Sequence, residues 1–246
     1  MILKKWEKLP PELKLEEVRP YYKILQKKKC SLLLKRIFDV IMSLLMIISL
    51  SPVFLILAVV IKLDSEGPVF FKQERITQYG KKFRMLKFRT MVVNAEKIGT
   101  QVTVNNDSRI TKVGSFIRDC RLDEIPQLIN VLAGDMSFVG TRPEVPKYVK
   151  QYTPEMMATL LIPAGVTSLA SILYKDEAVL LSKSSNVEEV YIQEVLPGKM
   201  EYNLKAIKNF SFFDDVTTVF RTVIAVLDKD YGAKGNIEYG KEKGRK

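Results

Sequence analysis

The chain has 246 residues, a formal charge of +11 and no histidine. Acid–base chemistry near neutral pH must therefore use carboxylate, Lys, Tyr or Cys side chains. Two cysteines argue against both a disulfide framework and a zinc site. The positive charge predicts an anionic partner, which could be nucleic acid, acidic lipid or a phosphorylated substrate.

Residues 1–36 form a basic leader that ends in Lys27-Lys28-Lys29 and Lys35-Arg36. Two interpretations of this leader stay open. It is either a solvated, partly ordered segment or an amphipathic segment that lies on anionic lipid, since its lysines directly precede an apolar stretch.

A membrane element is predicted over residues 37–66. No charged residue occurs from Val40 to Ile61, and about 20 apolar residues suffice to cross a hydrocarbon core about 30 Å thick. Ser51-Pro52 lies in the middle, where proline removes a backbone hydrogen bond and bends a helix. Basic residues flank both ends, so the charge bias selects no orientation. The residues alone leave a kinked span and a re-entrant helix both open.

A β-hairpin follows this element. Val69–Phe71 and Lys82–Phe88 read as two short strands around a turn at Gln78–Gly80. Basic and apolar residues alternate in the second strand, so its two sets of side chains point to opposite faces. Lys87 and Arg89 belong either to a solvated strand face or to an anion-binding surface. Residues 94–108 are polar and rich in turn formers, which predicts a loop.

The stretch 117–144 carries the densest set of reactive side chains. Leu122–Pro126 predicts a helix start, because Asp123 suits the N-cap or the first turn and proline suits the first turn. Gly134 predicts the end of this helix. The spacing of four apolar residues predicts one buried face, formed by Ile125, Leu128, Ile129 and Leu132.

Asp123 and Glu124 would then lie at the positive end of a helix dipole, which attracts anions. Arg118, Arg121 and Arg142 bracket the pair, and the planar guanidinium group suits phosphate. A carboxylate in such surroundings can be a nucleophile, a base or a metal ligand. The alternative is that the two acids only cap the helix.

Two more helices are predicted towards the C-terminus. One covers residues 186–196 and ends at Pro197-Gly198. The other begins after Ser211, and its apolar face either packs on the core or lies at a membrane interface. The glycine- and lysine-rich tail at 232–246 is predicted to be disordered. The face of the last helix comprises Phe213, Val216, Phe220, Val223, Ile224 and Leu227.

The central stretch closely resembles the bacterial sugar transferases, the monotopic phosphoglycosyl transferases that prime glycan assembly on a polyprenol phosphate. A long, nearly contiguous run carries the resemblance: Asp107, Arg109-Ile110-Thr111, Gly114, Arg118, Leu122 to Leu128, Asn130-Val131-Leu132, Gly134 to Ser137 and Gly140 to Glu144.

The resemblance implies an α+β, mostly helical fold. It implies a re-entrant membrane helix broken at Ser51-Pro52, the small β-hairpin, and a catalytic domain over residues 67–231 with interfacial helices. Asp39 also matches the family, and its helical spacing allows a pair with Lys35 or Arg36. The implied location is the cytoplasmic face of a bacterial inner membrane.

The implied reaction moves a phosphosugar from a nucleotide diphosphate sugar, expected to be a UDP-sugar, to undecaprenyl phosphate and releases UMP. This would be the first membrane step in assembling a capsule, exopolysaccharide, O-antigen or glycoprotein glycan. The expected partners are the donor, the polyprenol phosphate, membrane lipid and a second copy of the chain. Without a recognition helix or an RNA-binding aromatic motif, we expect no nucleic-acid partner.

The resemblance also assigns roles to residues. Asp123 would form a phosphosugar-aspartate intermediate, and Glu124 would hold Mg²⁺ or assist the incoming phosphate, with both carboxylates as metal ligands. The expected phosphate-binding residues are Arg118, Arg142, Lys87 and Arg89. Two residues depart from the family pattern. Thr77 replaces a glycine, which allows a different turn, and Ile162 replaces an arginine in the segment 162–175, which leaves the donor sugar open.

Other classes fit the residues less well. A membrane-anchored protein that binds polyanions without catalysis would explain the positive charge. A glycoside hydrolase needs carboxyl groups about 5 to 9.5 Å apart across the scissile bond, which adjacent residues do not provide. A phosphatase with an aspartyl nucleophile is also conceivable, but no Asp-x-Asp motif follows a strand.

Overall fold

A computed structural model describes residues 3–95, 107–174 and 186–227 of the chain. The described residues are mostly helical, with two small two-stranded sheets. This confirms the α+β prediction. The predicted tail at 232–246 and most of the predicted loop at 94–108 lie outside the described residues.

The helices are α1 (Arg19–Lys27), α2 (Lys29–Ser49), α3 (Ser51–Asp64), α4 (Lys112–Asp119), α5 (Gln127–Ala133), α6 (Pro146–Val149), α7 (Leu169–Leu173), α8 (Val187–Val190), α9 (Leu196–Lys208) and α10 (Phe212–Leu227). The strands are β1 (Phe70–Ile76), β2 (Lys82–Phe88), β3 (Met136–Val139) and β4 (Ala164–Thr167). Short 3₁₀ turns lie at Trp6–Lys8, Pro11–Leu13, Gln78–Gly80, Leu122–Glu124 and Met156–Leu161.

The leader is folded onto the rest of the chain. Several of its apolar side chains, among them Leu13, Val18 and Leu25, are fully buried in one cluster with Leu161 and Ile207. The leader up to α1 is thus packed against protein, while Leu33 and Leu34 at its end are exposed, and an amphipathic segment on anionic lipid stays a prediction. Burial of so many apolar groups stabilises the contact.

Helices α2 and α3 meet at a bend of 60°. Within the described ranges no single helix is long and apolar enough to cross a membrane, and only this bent pair reaches the necessary length and composition. The bend falls at Leu50, immediately before Ser51 and Pro52, where the sequence predicted a break. The Ser51 hydroxyl donates to the Ile48 carbonyl at 2.8 Å, which satisfies an acceptor at the end of α2.

The outer surfaces of α2 and α3 are apolar. Large side chains are exposed along both helices, including Leu45 at 55%, Ile48 at 62% and Leu55 at 68%. Such a continuous exposed apolar surface is unusual for a soluble monomer.

The predicted hairpin is present. Strands β1 and β2 pair antiparallel, with Phe70 opposite Phe88 and Ile76 opposite Lys82. Tyr79 in the connecting turn has a positive φ of 60°. Thr77, which departs from the family pattern, is buried and joins two other segments: its hydroxyl donates to the Asp135 carbonyl at 2.6 Å and accepts from the Ala164 amide at 3.1 Å.

The second sheet pairs β3 with β4 in parallel. Gly165 in β4 lies against the backbone of Gly140, where a Cβ atom would approach the Gly140 nitrogen to 2.2 Å. Only glycine allows this contact. It holds the segment that follows β3, residues 140–144, close to the sheet.

The C-terminal helices differ from the predictions in two ways. The helix at 186–196 does not end at Pro197, because a π-turn over Tyr191–Val195 leads directly into α9. Proline occupies the first turn of α9, where a missing N–H is tolerated. In α10 the predicted core face is exposed instead, with Phe213 at 77% and Leu227 at 80%. The alternative, a membrane interface for α10, stays open.

Candidate active site

The two adjacent carboxylates lie in a 3₁₀ turn. Arg121 adopts a left-handed conformation with a φ of 56°, which redirects the chain after α4 into the turn Leu122–Glu124. The turn then leads through Pro126 into α5. Of the two positions predicted for Asp123, the N-cap is wrong, because its side chain makes no capping hydrogen bond and α5 starts four residues later. Asp123 lies instead in the first turn of the 3₁₀ segment.

Helix α5 also presents a different face to the core than predicted. Ile129 is 37% exposed, whereas Gln127 and Asn130 are buried. The reason is a polar contact that the apolar pattern does not include. The Asn130 side chain accepts from the Leu86 amide and donates to the Arg84 carbonyl, both at 2.9 Å, and so binds the edge of β2. Gly134 ends the helix in the left-handed conformation, as predicted.

Glu124 is held by two cations. The Lys87 ammonium lies 2.9 Å from its Oε1 atom, and Arg142 donates to both carboxylate oxygens, at 3.2 Å to Oε2. Burial raises the pKa of Glu124, but Arg142 and Lys87 together lower it more, so its pKa lies well below the usual range. Glu124 therefore stays ionised and paired.

Asp123 has a different environment. Its side chain is largely buried, and the nearest cation is Lys87, whose ammonium lies 3.8 Å from Oδ2. Its side chain makes no hydrogen bond within the described ranges. Burial raises the pKa of Asp123 above its ordinary value; Glu124 adds to the increase, while Lys87, Arg118 and Arg121 oppose it. Neighbouring carboxylates with opposite pKa shifts are typical of sites with two chemical roles.

Arg118 approaches the same turn from α4. Its Nε atom donates to the Thr90 hydroxyl at 3.0 Å. Burial lowers the pKa of Arg118, and the charges of Asp123 and Asp107 raise it. The structure thus brings together five of the predicted site residues: Asp123, Glu124, Lys87, Arg118 and Arg142.

Arg89 is not part of this cluster. Its buried guanidinium group donates to the carbonyls of Glu66 at 2.7 Å and Ser65 at 2.6 Å, just after α3. These contacts attach the end of the bent helix pair to the β-hairpin.

Sequence reasoning missed the residues that hold the Arg142 segment. Glu144 is buried and accepts from the Tyr191 hydroxyl at 2.6 Å. Arg75 and Lys199 lie 3.7 and 3.8 Å from its carboxylate. The sequence around Arg75 offered no signal for this contact, because β1 also carries Lys72 and Glu74 and the partner Glu144 lies far away in sequence.

It also missed how α2 contacts the site. Lys35 donates to the Val139 carbonyl at 2.7 Å and pairs with Asp215 at 2.6 Å. Arg36 donates to the Val131 and Leu132 carbonyls at 2.7 and 2.9 Å, at the end of α5.

Asp39 continues this set of contacts. It accepts from the Ser137 hydroxyl and the Phe138 amide, each at 3.1 Å. Asp39 forms no ion pair with Lys35 or Arg36 within the described residues. The pairing suggested by its helical spacing is therefore wrong. The side chains of Lys35, Arg36 and Asp39 bind to α5, β3 or α10 instead.

Asp123 and Glu124 can be compared with the ligands that the predicted magnesium ion would need. Within the described residues no three His, Cys, Asp or Glu side chains converge as a metal site. Mg²⁺ in phosphate-transfer sites commonly takes one or two carboxylates and completes its shell with substrate phosphates and water. Asp123 and Glu124 fit that smaller set, although the Glu124 oxygens already contact Lys87 and Arg142.

Comparison with known proteins decides the family. The model of the family described as bacterial sugar transferase matches residues 30–229. The chain belongs to the bacterial sugar transferase family. The matched residues include α2, α3, the hairpin, the carboxylate turn and α10, so the resemblance seen in the central stretch extends over most of the chain.

Several curated relatives of this bacterial sugar transferase are known. It is 36% identical over 82% of its length to a UDP-N-acetylgalactosamine-undecaprenyl-phosphate N-acetylgalactosaminephosphotransferase of Aeromonas hydrophila. It is 38% identical over 78% of its length to a UDP-glucose:undecaprenyl-phosphate glucose-1-phosphate transferase of Escherichia coli (strain K12). These matches cover 45% and 39% of the two relatives, so the chain spans less than half of their length.

A shorter relative is covered more fully. The chain is 39% identical over 51% of its length to a putative undecaprenyl-phosphate N-acetylgalactosaminyl 1-phosphate transferase of Bacillus subtilis (strain 168), and the match covers 70% of that protein.

Proposed function

We propose that this bacterial sugar transferase moves a phosphosugar from a UDP-sugar to undecaprenyl phosphate and releases UMP. Family membership and the names of the relatives support this reaction class. The observation that carries the proposal is the contrast between two adjacent carboxylates. Glu124 is ionised and paired with two cations, whereas the Asp123 carboxylate has no hydrogen bond within the described residues and lies 3.8 Å from Lys87.

Asp123 is the proposed nucleophile. One of its oxygens attacks the phosphorus that carries the sugar, and the bond from that phosphorus to the UMP oxygen breaks. UMP leaves with the bonding electrons, and the phosphosugar stays on Asp123. An oxygen of undecaprenyl phosphate then attacks the same phosphorus, and the bond to Asp123 breaks. Each step exchanges one oxygen for another at phosphorus, so the aspartate is regenerated.

The cations make this attack feasible. An anionic nucleophile and an anionic diphosphate repel each other, and pre-positioned positive groups offset that repulsion. Lys87 lies within reach of both carboxylates, and Arg118 approaches from α4. Glu124 holds Lys87 and Arg142 in position through its direct contacts.

Mg²⁺ is the proposed cofactor, held by Asp123 and Glu124 together with the donor diphosphate. When bound, the ion neutralises part of the charge on the diphosphate and helps UMP to leave.

We also propose that the α2–α3 pair enters and leaves the membrane on one side. The leader before α2 and the residues after α3 share one apolar core, in which Val18 and Leu25 contact the same cluster as Leu161 and Ile207. The two ends of the bent pair therefore lie in one folded unit, which supports re-entry over a span. The exposed apolar residues of α2 and α3 would face lipid, and the catalytic domain would face the cytoplasm. A homodimer stays a prediction.

The proposal is tested with a panel of donors. The full-length chain in lipid nanodiscs is incubated with undecaprenyl phosphate and, in turn, UDP-glucose, UDP-galactose or UDP-N-acetylgalactosamine. UMP release that depends on undecaprenyl phosphate is expected with at least one donor. Binding of polyanions without UMP release from any donor would favour the non-catalytic alternative.

A further inference from the structure

Gln127, the first residue of α5, is buried without hydrogen bonds. It is 1% exposed, and neither its amide nitrogen nor its amide oxygen has a partner within the described residues. An unpaired buried amide destabilises a folded protein unless a bound water, ion or ligand supplies its partner. Gln127 has no role in the proposed reaction as described so far for Asp123, Glu124 and the cations.

Gln127 begins α5 three residues after the carboxylate turn ends. Asn130 lies three residues later on the same face of α5 and binds the β2 backbone at Arg84 and Leu86. Lys87, the next residue of β2, contacts Glu124 and Asp123. In sequence, Gln127 lies midway between Glu124, which contacts Lys87, and Asn130, which contacts the β2 backbone. Helical side chains also lean towards the N-terminus, which directs the amide to the turn.

We propose that the Gln127 amide donates a hydrogen bond to a phosphoryl oxygen as the phosphosugar passes to and from Asp123. Both the nucleophile and the amide lack a hydrogen bond in the described structure, and they are four residues apart. The phosphoryl group would bring the acceptor that the amide lacks. The inference rests on the proposed function, since it requires a phosphoryl group on Asp123.

The contact would act on the rate rather than on donor affinity. In the free protein the Gln127 amide is enclosed. It would therefore meet a phosphoryl oxygen only while the phosphoryl group is being transferred to or from Asp123. An interaction made mainly in the transition state raises kcat and leaves KM nearly unchanged.

Gln127→Met tests the inference, because methionine has a similar shape and no amide. We measure kcat and KM, the single-turnover rate of UMP release without undecaprenyl phosphate, and the thermal unfolding midpoint. The full-length chain is used in nanodiscs with whichever of the three UDP-sugars supports wild-type turnover. The expected results are a kcat and a loading rate lower by about 10- to 100-fold, a KM within about twofold, and a higher unfolding midpoint.

Asn130→Leu is the matched control. It removes a buried amide that is paired, so it should lower the unfolding midpoint. A lower midpoint for Gln127→Met as well would mean that its amide is bonded in the free protein, and this would overturn the inference. An unchanged kcat and loading rate would overturn it too.

The two proposals fail in different ways. If the wild-type chain releases UMP from none of the three donors, the proposed function fails and the inference fails with it. If the wild type is active and Gln127→Met is equally active, only the inference fails.

Discussion

Asp123 and Glu124 are neighbours in sequence, yet the pKa values of their carboxyl groups are shifted in opposite directions. Burial raises the pKa of Asp123 above its ordinary value. Burial also acts on Glu124, but contacts with Arg142 and Lys87 outweigh it and lower its pKa. The difference comes from the direction of each side chain, because only Glu124 points between the two cations. Glu124 is thus paired with positive charge, whereas the Asp123 side chain has no hydrogen bond within the described residues, which supports its proposed role as the nucleophile.

Our first prediction concerns the removal of the proposed nucleophile, Asp123. Asp123→Asn preserves size but removes the attacking charge, so UMP release should fall by about three orders of magnitude or more with every donor. The measurement is UMP release by the full-length chain. Asp119→Asn is the control, because Asp119 is exposed nearby in α4 and should be dispensable. Appreciable turnover by Asp123→Asn would exclude the assigned nucleophile.

The second residue-scale prediction concerns pH. Asp123 must be ionised to attack, and its pKa is raised, so the loading rate should fall with decreasing pH at a higher pH than an ordinary aspartate would allow. Lys87 lowers this pKa. Lys87→Met should therefore move the acid limb of the loading rate to higher pH.

The measurement for this prediction is the single-turnover loading rate from about pH 4 to about pH 8. Glu124→Gln should shift the acid limb of the loading rate in the opposite direction, because the Glu124 charge raises the pKa of Asp123. Its acid limb should move to lower pH. Shifts of both variants in the same direction would contradict the electrostatic account.

At the element scale, α2 is both the first half of the bent pair and a support for the catalytic segment. Lys35, Arg36 and Asp39 all bind backbone groups between Val131 and Val139. Charged side chains on a membrane helix are costly unless they are paired. These contacts pair them and, at the same time, fix the position of α5 and β3 relative to the bent pair.

The prediction at this scale is a loss of stability in Arg36→Met. The variant leaves two carbonyls at the end of α5 without their donor, which should cost about 2 kcal/mol. That corresponds to a fall of about 4 to 8 °C in the thermal unfolding midpoint for a chain of this size. Lys29→Met, at an exposed position in the same helix, should leave the midpoint unchanged. Equal midpoints for the two variants would contradict the proposed support.

At the scale of the whole molecule, the leader and the residues after α3 form one folded unit. Their shared core includes Tyr21 and Leu25 from α1 together with Leu160 and Ile207. A polypeptide cannot place the two halves of one core on opposite sides of a bilayer. This shared core supports the proposal that the bent pair returns to the side of the membrane from which it entered.

This predicts the labelling pattern of the two flanks. Cys30 is exposed before the apolar part of α2, and Glu66→Cys in a Cys120→Ser background marks the flank after α3. In bacterial spheroplasts, a membrane-impermeant maleimide should label neither flank until the cells are lysed. Labelling of only one flank in intact spheroplasts would show that the pair spans the membrane.

Local rules determined several features from the sequence alone. Proline geometry located the helix break at Ser51-Pro52, alternation located the hairpin, and Gly134 located the end of α5. The long motif run identified the family and the carboxylate pair. Each of these signals lies within a short stretch of chain, which is why a single sequence reveals it.

Only the tertiary structure decided the rest, because the deciding contacts join residues that are distant in sequence. Lys87 and Glu124 are 37 residues apart, and Lys35 and Asp215 are 180 apart. Such contacts buried the leader, turned Asn130 rather than Ile129 towards β2, and attached Arg89 to the end of α3. They also distinguish Asp123 from Glu124, since periodicity states which residues share a face but not which cation each carboxylate will meet.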